Sequence, residues 1–384
     1  MKINLLGATG SIGTQCLDIC RSHPDITPNS LTAGRNYKAL AMYAREFSVR
    51  TVCIADESLY SALKTELSDT DTRVLCGREG LCEAASDKNA DMTVNAIVGA
   101  AGLLPTEAAL KSGSKVALAN KETLVAGGSY IMGLAKRKGI HIIPIDSEHS
   151  AIFQSLQGSR DPHGELRKII LTASGGPFFG KKREELKNID PEKALAHPNW
   201  SMGSKITIDS ATMMNKGFEL IEACHLFGVS PKQVEVVIHR QSILHSAVEF
   251  SDGAVIGQLG VPDMRIPIQY ALTFPKRLEC PAQPLSLTAC GDLTFEEPDT
   301  ETFGCLKSAM KAADAIDTTA GAIINGANEV LVSAFLNGKA DFWDITDGVA
   351  AALENVPAVP ADTVEHILEG DRAGREFARA FLSK

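Results

Sequence analysis

The first 146 residues alternate between short apolar runs and longer stretches of helical period, and this alternation leaves few folds open. The runs Ile3–Leu6, Leu31–Ala33, Thr51–Ile54, Arg73–Leu75, Met92–Asn95, Val116–Ala119 and His141–Ile145 read as strands. The segments between them are long enough for helical crossovers, which parallel neighbours need and hairpins do not. The rhythm predicts an α/β fold that opens on a doubly wound parallel sheet over residues 1–146.

After Asp146 the rhythm changes. Arg167–Ala173 reads as one strand, and Val234–His239, Ile243–Phe250 and Ala254–Leu259 follow one another through short turns such as Ser251-Asp252-Gly253. Such close spacing predicts antiparallel pairing and a central α+β domain over 147–275. Pro275, Pro281, Pro284 and Pro298 mark 276–300 as a linker. From Phe303 the chain is rich in alanine with helical period, which predicts a C-terminal helical domain of three or four helices over 301–384.

A length of 384 residues exceeds one ordinary core, consistent with this division. A net charge of −9 disfavours a nucleic-acid partner, since phosphate backbones call for clustered cations. No apolar run approaches the roughly 20 residues of a membrane span. Met1–Gly7 runs directly into a strand pattern without the features of a signal or transit segment, so a cytoplasmic chain is expected. The nine cysteines are odd in number and fit no zinc spacing; reduced, inert thiols are the expectation.

Gly7-Ala8-Thr9-Gly10-Ser11-Ile12-Gly13 follows the first strand and opens a helix. In that context Gly7 permits a tight turn, Gly10 lets the backbone approach a pyrophosphate, and Gly13 permits close helix–strand packing. The helix N-terminus attracts the anion. This is the logic of a Rossmann-like nucleotide site, against the plainer reading of a glycine-rich turn. The second strand ends in Ala33-Gly34-Arg35-Asn36. An acid near this point would bind a free ribose hydroxyl; Arg35 suits a 2′-phosphate, hence NADP over NAD.

Asp146-Ser147-Glu148 lies at the carboxyl end of the last parallel strand. On an extended chain the two acids point the same way and make a hard-oxygen site for Mg²⁺ or Mn²⁺. The alternative is a helix start capped by Ser147. On a helix, Asn215, Lys216 and Glu219 share a face, offering an amide and an ammonium to a phosphate and a carboxylate to a metal; the bland alternative is a solvated ion pair. Thr172–Pro177 offers serine and glycine donors. The loop His197–Gly203 offers Trp200 either as a lid or as an anchor in a core.

These segments, with Ala119–Glu122, Asp209–Glu219 and Pro262–Pro267, resemble the 1-deoxy-D-xylulose 5-phosphate reductoisomerase family in order along essentially the whole chain. Met264 is one departure, standing where an aromatic is more usual. The resemblance implies that Thr9, Gly10, Ser11, Ile12, Gly34, Arg35, Asn36, Asn120, Glu122 and Gly203 contact NADPH. It implies that Asp146, Glu148 and Glu219 hold Mg²⁺, Mn²⁺ or Co²⁺. Lys121, Ser147 and His197 would face the sugar; Ser174, Ser210, Asn215 and Lys216 would bind its phosphate; Trp200 and Met202 would sit on a flap. A homodimer is implied as well. Two rivals share parts of the pattern: a plain NADP-dependent aldehyde dehydrogenase, which needs no metal and would resist EDTA, and an NADP-sensing protein, which would tolerate loss of Glu148 or Lys216.

Overall fold

A computed structural model describes residues 1–200 and 202–383. The chain folds as two compact units. The first comprises residues 1–123, 131–150 and 263–283; the second comprises 124–130, 151–262 and 284–384.

The first unit is built on strands β1 (Lys2–Leu6), β2 (Thr27–Ala33), β3 (Thr51–Ile54), β4 (Arg73–Cys76), β5 (Met92–Asn95), β6 (Lys115–Leu118) and β7 (Ile142–Pro144). All seven are parallel, in the order β4-β3-β2-β1-β5-β6-β7. β3 and β5 are buried along their whole length, as strands covered on both faces must be. The strand order reverses between β1 and β5, and the carboxyl ends of strands at such a switch point are where sheets of this kind bind ligands.

The second unit carries β8 (Leu166–Ala173), β9 (Val234–Ile238), β10 (Leu244–Phe250) and β11 (Val255–Leu259), in the order β11-β10-β8-β9. Here the expected all-antiparallel pairing needs correction. β10 is antiparallel to β8 and to β11, but β9 is parallel to β8 and is not paired with β10. The short link 239–243 is therefore not a hairpin turn: it carries the chain across β8. It includes Ser242 in the left-handed region (φ 52°). The linker contributes one bridge, Glu296 to Ile238, at the edge of β9.

Four helices, Gly304–Asp314, Ala320–Leu336, Phe342–Asn355 and Val364–Phe381, form the C-terminal region. Backbones approach closely where glycine leaves room. A Cβ on Gly326 would lie 2.2 Å from the Asp371 carbonyl oxygen, and one on Gly374 2.2 Å from that of Ile323. Phe335 and Phe342 fill the core beside them, edge to face at 5.7 Å.

Candidate active site

In the first unit the nucleotide loop has the predicted construction. Gly7 sits at φ +82°, and a Cβ there would meet the Ala96 carbonyl oxygen at 2.5 Å. One on Gly13 would lie 2.2 Å from the Gly7 oxygen, so the helix Ser11–Ser22 seats directly on the turn. Ala8 N donates to Thr32 O at 2.7 Å, tying the turn to β2. Gly10 caps the helix without a side-chain hydrogen bond, so first-turn amides remain available to an anion. Thr9, Gly10, Ser11 and Ile12 are exposed or partly so.

At the end of β2, nothing stands within 4 Å of a Cβ built on Gly34, and the Arg35 side chain is 82% exposed. Its nearest partner is Asp56, at 3.4 Å, a weak solvated pair that a 2′-phosphate could replace. The Ser58 hydroxyl and amide, with a smaller contribution from Arg35, hold the Asp56 carboxyl below its ordinary value. Asn36 accepts from Ala39 N and caps the next helix. Asn120 is wired more tightly. It caps the Lys121–Lys138 helix through Thr123 N, and its amide donates to the Ile97 and Gly99 carbonyls and to Glu122. Apart from Gly203, the residues expected at the nucleotide thus follow the carboxyl ends of β1, β2 and β6.

The acid segment departs from the extended geometry expected for it. A helix begins at Ser147, and Asp146 stands at its N-cap, accepting from Glu148 N and His149 N at 3.2 and 3.4 Å. The alternation of an extended chain therefore does not apply to Asp146 and Glu148; first-turn amides claim Asp146 instead. Burial works against the Asp146 charge, but the Lys121 ammonium, and then His149 at 3.3 Å, hold its carboxyl well below the usual range. Ser147 donates to Glu148. The donor set is carboxylate oxygen, which suits a hard divalent cation.

In the second unit the helix Ser204–Ala211 turns sharply at Met213, which is left-handed (φ 63°), into the helix Met214–Phe227. The turn sets Asn215, Lys216 and Glu219 at the start of the second helix. Asn215 donates to Glu219 at 2.5 Å and Lys216 pairs with the same carboxylate. The pair is buried, with Lys216 4% and Glu219 1% exposed, which rules out the solvated surface bridge.

Ser210 belongs to the same corner. A Cβ on Gly176 (φ +67°) would lie 2.7 Å from the Ser210 carbonyl oxygen, so the loop after β8 lies against it. In that loop the Ser174 hydroxyl accepts from Gly176 N at 3.2 Å and pairs with His197 Nε2 at 2.9 Å. His197 Nδ1 accepts from the Asn199 and Trp200 amides at 3.2 and 2.9 Å, so in its neutral form the ring proton is on Nε2. Ser174 therefore receives both of these hydrogen bonds, and neither uses its own proton.

Trp200 is partly buried, tilted against the His245 ring at 6.0 Å, and Met202 is also partly buried. Ser201 lies outside the described residues. Gly203 caps the helix Ser204–Ala211 with no side-chain bond.

Sequence reading passed over Arg240. Its Nη1 donates to the carbonyls of Ser174 and Gly176 at 3.0 and 2.8 Å. The missing signal was the parallel pairing of β8 and β9, which sets their following loops side by side. It also passed over Asn328, whose amide donates at 2.8 Å to buried Asp209, the neighbour of Ser210.

Residues 3–128 match the family 1-deoxy-D-xylulose 5-phosphate reductoisomerase, residues 142–227 its C-terminal domain, and residues 259–377 the DXP reductoisomerase C-terminal domain. The 1-deoxy-D-xylulose 5-phosphate reductoisomerase of Agathobacter rectalis is 51% identical over 98% of both chains. That of Geobacillus kaustophilus is 49% identical over 99% of both. A crystal structure of DOX-P reductoisomerase in complex with NADPH, fosmidomycin and magnesium is similar with a TM-score of 0.95 and 42% identity, covering 100% of this chain and 98% of that one. The Zymomonas mobilis enzyme in complex with NADPH gives 0.92 and 42%, covering 100% of this chain and 99% of that one. With all three family regions matched and half of all positions identical over almost the full length, this chain belongs to the 1-deoxy-D-xylulose 5-phosphate reductoisomerase family.

Proposed function

We infer that this chain catalyses the NADPH- and divalent-metal-dependent rearrangement and reduction of 1-deoxy-D-xylulose 5-phosphate to 2-C-methyl-D-erythritol 4-phosphate, an early step of non-mevalonate isoprenoid precursor synthesis. The observation that carries the reading is the buried ion pair of Lys216 and Glu219, at a corner whose Ser210 packs against the loop that carries Ser174. Sequestering an ion pair costs several kcal/mol in desolvation, and a purely structural corner has no need of it. A site for an anion and a cation does.

The residue roles follow from the chemistry of each group. The amides of Thr9, Gly10, Ser11 and Ile12 take the pyrophosphate, and Gly34, Arg35 and Asn36 take the 2′-phosphate end. Asn120, Glu122 and Gly203 complete the nucleotide contacts. Bound NADPH supplies the hydride. Asp146, Glu148 and Glu219 are the oxygen ligands for Mg²⁺, Mn²⁺ or Co²⁺; the bound ion supplies Lewis acidity toward the substrate oxygens. Ser174, Ser210, Asn215 and Lys216 bind the phosphate through charge-assisted hydrogen bonds. Lys121, Ser147 and His197 face the sugar. Trp200 and Met202 cover it and exclude water. In this reading residues 1–146 bind the nucleotide, 147–275 carry catalysis and dimerisation, 276–300 link, and 301–384 form the helical domain.

Two further assignments rest on surface and thiol chemistry. The edge strand β11 exposes Val255, Ile256 and Leu259, an apolar edge that suits pairing with a second copy of the chain. None of the nine cysteines is bonded to another, which suits a reducing cytoplasm. Among the described residues no helix is long and apolar enough to cross a membrane.

The test of the reaction is NADPH consumption in the presence of 1-deoxy-D-xylulose 5-phosphate and Mg²⁺, with methylerythritol phosphate identified as product. Turnover that persists after exhaustive chelation would reject the metal-dependent reading in favour of a plain dehydrogenase.

A further inference from the structure

Because β8 and β9 are parallel, with Ala173 opposite Ile238, the loops that follow them leave the same edge of the sheet. The second loop is stiff. His239 N donates to Ala173 O at 2.7 Å. Its Nε2 accepts from the amides of Ile243 and Leu244 at 3.2 and 3.1 Å, which leaves the ring proton on Nδ1 to donate to Thr294 O at 2.9 Å. Arg240, the next residue, is thereby aimed from a fixed base.

Its guanidinium lies over the Phe179 ring, 4.9 Å from the centroid, and one nitrogen donates to both the Ser174 and the Gly176 carbonyls. Between those carbonyls the backbone passes through two consecutive left-handed glycines, Gly175 (φ 77°) and Gly176 (φ 67°), a path that no strand or helix ladder maintains. In the other direction the Arg240 carbonyl accepts from Asn199 Nδ2 at 2.6 Å, and the same amide donates to Ser242 Oγ at 2.9 Å. Asn199 sits in the flap loop, and its backbone amide donates to His197, which bonds Ser174. The contacts close a ring: Ser174, His197, Asn199, Arg240 and back to Ser174.

We propose that Arg240 is a positioning residue that couples the phosphate loop to the flap. Its side chain holds Ser174 in place while its carbonyl holds Asn199. This rests on the reading of Ser174 as a phosphate donor. Phosphate binding at Ser174 then stiffens the ring and orders the flap, so binding energy far from the reacting carbons is used to close the site. Lysine is not expected to substitute: its ammonium could bond two carbonyls, but it lacks the flat guanidinium that rests on Phe179 and fixes the donor nitrogen between them.

Two hydroxamate chelators, one bearing a phosphonate and one lacking it, serve as probes in the presence of Mg²⁺. The ratio of their dissociation constants reads the phosphate loop, and Trp200 emission reads the flap. In Arg240→Met the ratio is expected to fall about tenfold or more, the scale of one charge-assisted hydrogen bond. Affinity for the phosphonate-free probe and the KM for NADPH should stay within about twofold of the unchanged protein's. The emission response to the phosphonate-bearing probe should shrink, and Asn199→Ala should shrink it too. Arg240→Lys should resemble Arg240→Met, and gives the reading if the methionine variant does not fold. A ratio unchanged in Arg240→Met overturns the proposal; so does full recovery by lysine, which would assign the effect to charge alone. Ser174→Ala separates the two layers. If it leaves the ratio intact, the phosphate assignment fails and the proposal with it; if it lowers the ratio while both Arg240 variants do not, only the coupling is wrong.

Discussion

At the residue scale, the same side-chain types do different work according to how much water surrounds them. Arg35 is 82% exposed and leans on Asp56 only at 3.4 Å, so its charge is free to meet a 2′-phosphate. Arg35→Asp should remove that attraction and add repulsion. We expect the preference for NADPH over NADH, measured as the ratio of kcat/KM values, to fall by about 10- to 100-fold, the worth of one or two charge-assisted contacts. An unchanged ratio would exclude Arg35 from cofactor choice. Glu219 is the opposite case, 1% exposed and bonded by Asn215 and Lys216. Glu219→Gln keeps the shape and removes the charge. It should cut metal-dependent turnover by about a hundredfold or more and raise the metal concentration needed for half activity. Retention of normal metal dependence would remove Glu219 from the ligand set.

At the element scale, legibility in the sequence followed the range of the interaction. β1, β3 and β5 were readable because their runs are short, largely apolar and set off by the longer helical stretches on either side. The nucleotide loop was readable because its glycine spacing and the helix start it signals lie within seven residues, even though Ala96 and Thr32 also hold it. The sequence leaves the backbone at Asp146 open because a carboxylate after a strand fits an extended ligand pair and a helix start equally well, and only the backbone after it decides between them. The parallel pairing of β8 with β9 was missed for a related reason. A five-residue link looks like a hairpin, and that it crosses β8 is set by tertiary packing. Arg240 and Asn328 could not be found without that packing, since the groups to which their side chains donate lie 64 or more residues away in sequence. The helix–turn contact at Gly13 gives a direct test at this scale. Gly13→Ala would place a methyl group about where the Gly7 oxygen already is, 2.2 Å from the ideal Cβ. The helix Ser11–Ser22 must shift outward, carrying its first-turn amides with it. NADPH affinity should drop by about tenfold or more, with less effect on binding of a phosphonate hydroxamate. Titration of the variant with NADPH, followed by nucleotide fluorescence, reads this directly; unchanged affinity would show that the turn gives way instead.

At the scale of the whole molecule, the two units are built differently and should answer to different conditions. The second holds His225 near the end of the helix Met214–Phe227, with its ring against Gly128, where a Cβ would lie 2.1 Å from Cδ2. Burial pushes the His225 pKa down to about 4, against a smaller opposing pull from Asp317. The fold therefore holds a neutral imidazole, whereas the unfolded chain titrates near pH 6.5. Between those values the unfolded state binds more protons than the folded one. The stabilisation is complete above about pH 6.5 and is lost as pH falls toward about 4, by about 3 kcal/mol at most. Carboxylates held low by their partners, such as Asp299 at about 2 beside Lys182, act mainly below this window. Both tryptophans, Trp200 and Trp343, belong to the second unit, so indole emission follows its unfolding selectively. The urea midpoint read by emission should fall between pH 7 and pH 5, and His225→Gln should flatten that fall even though it lowers stability at pH 7. Equal pH slopes for the two proteins would mean that His225 is not the group being protonated, and that burial of this ring does not set the acid limit of the second unit.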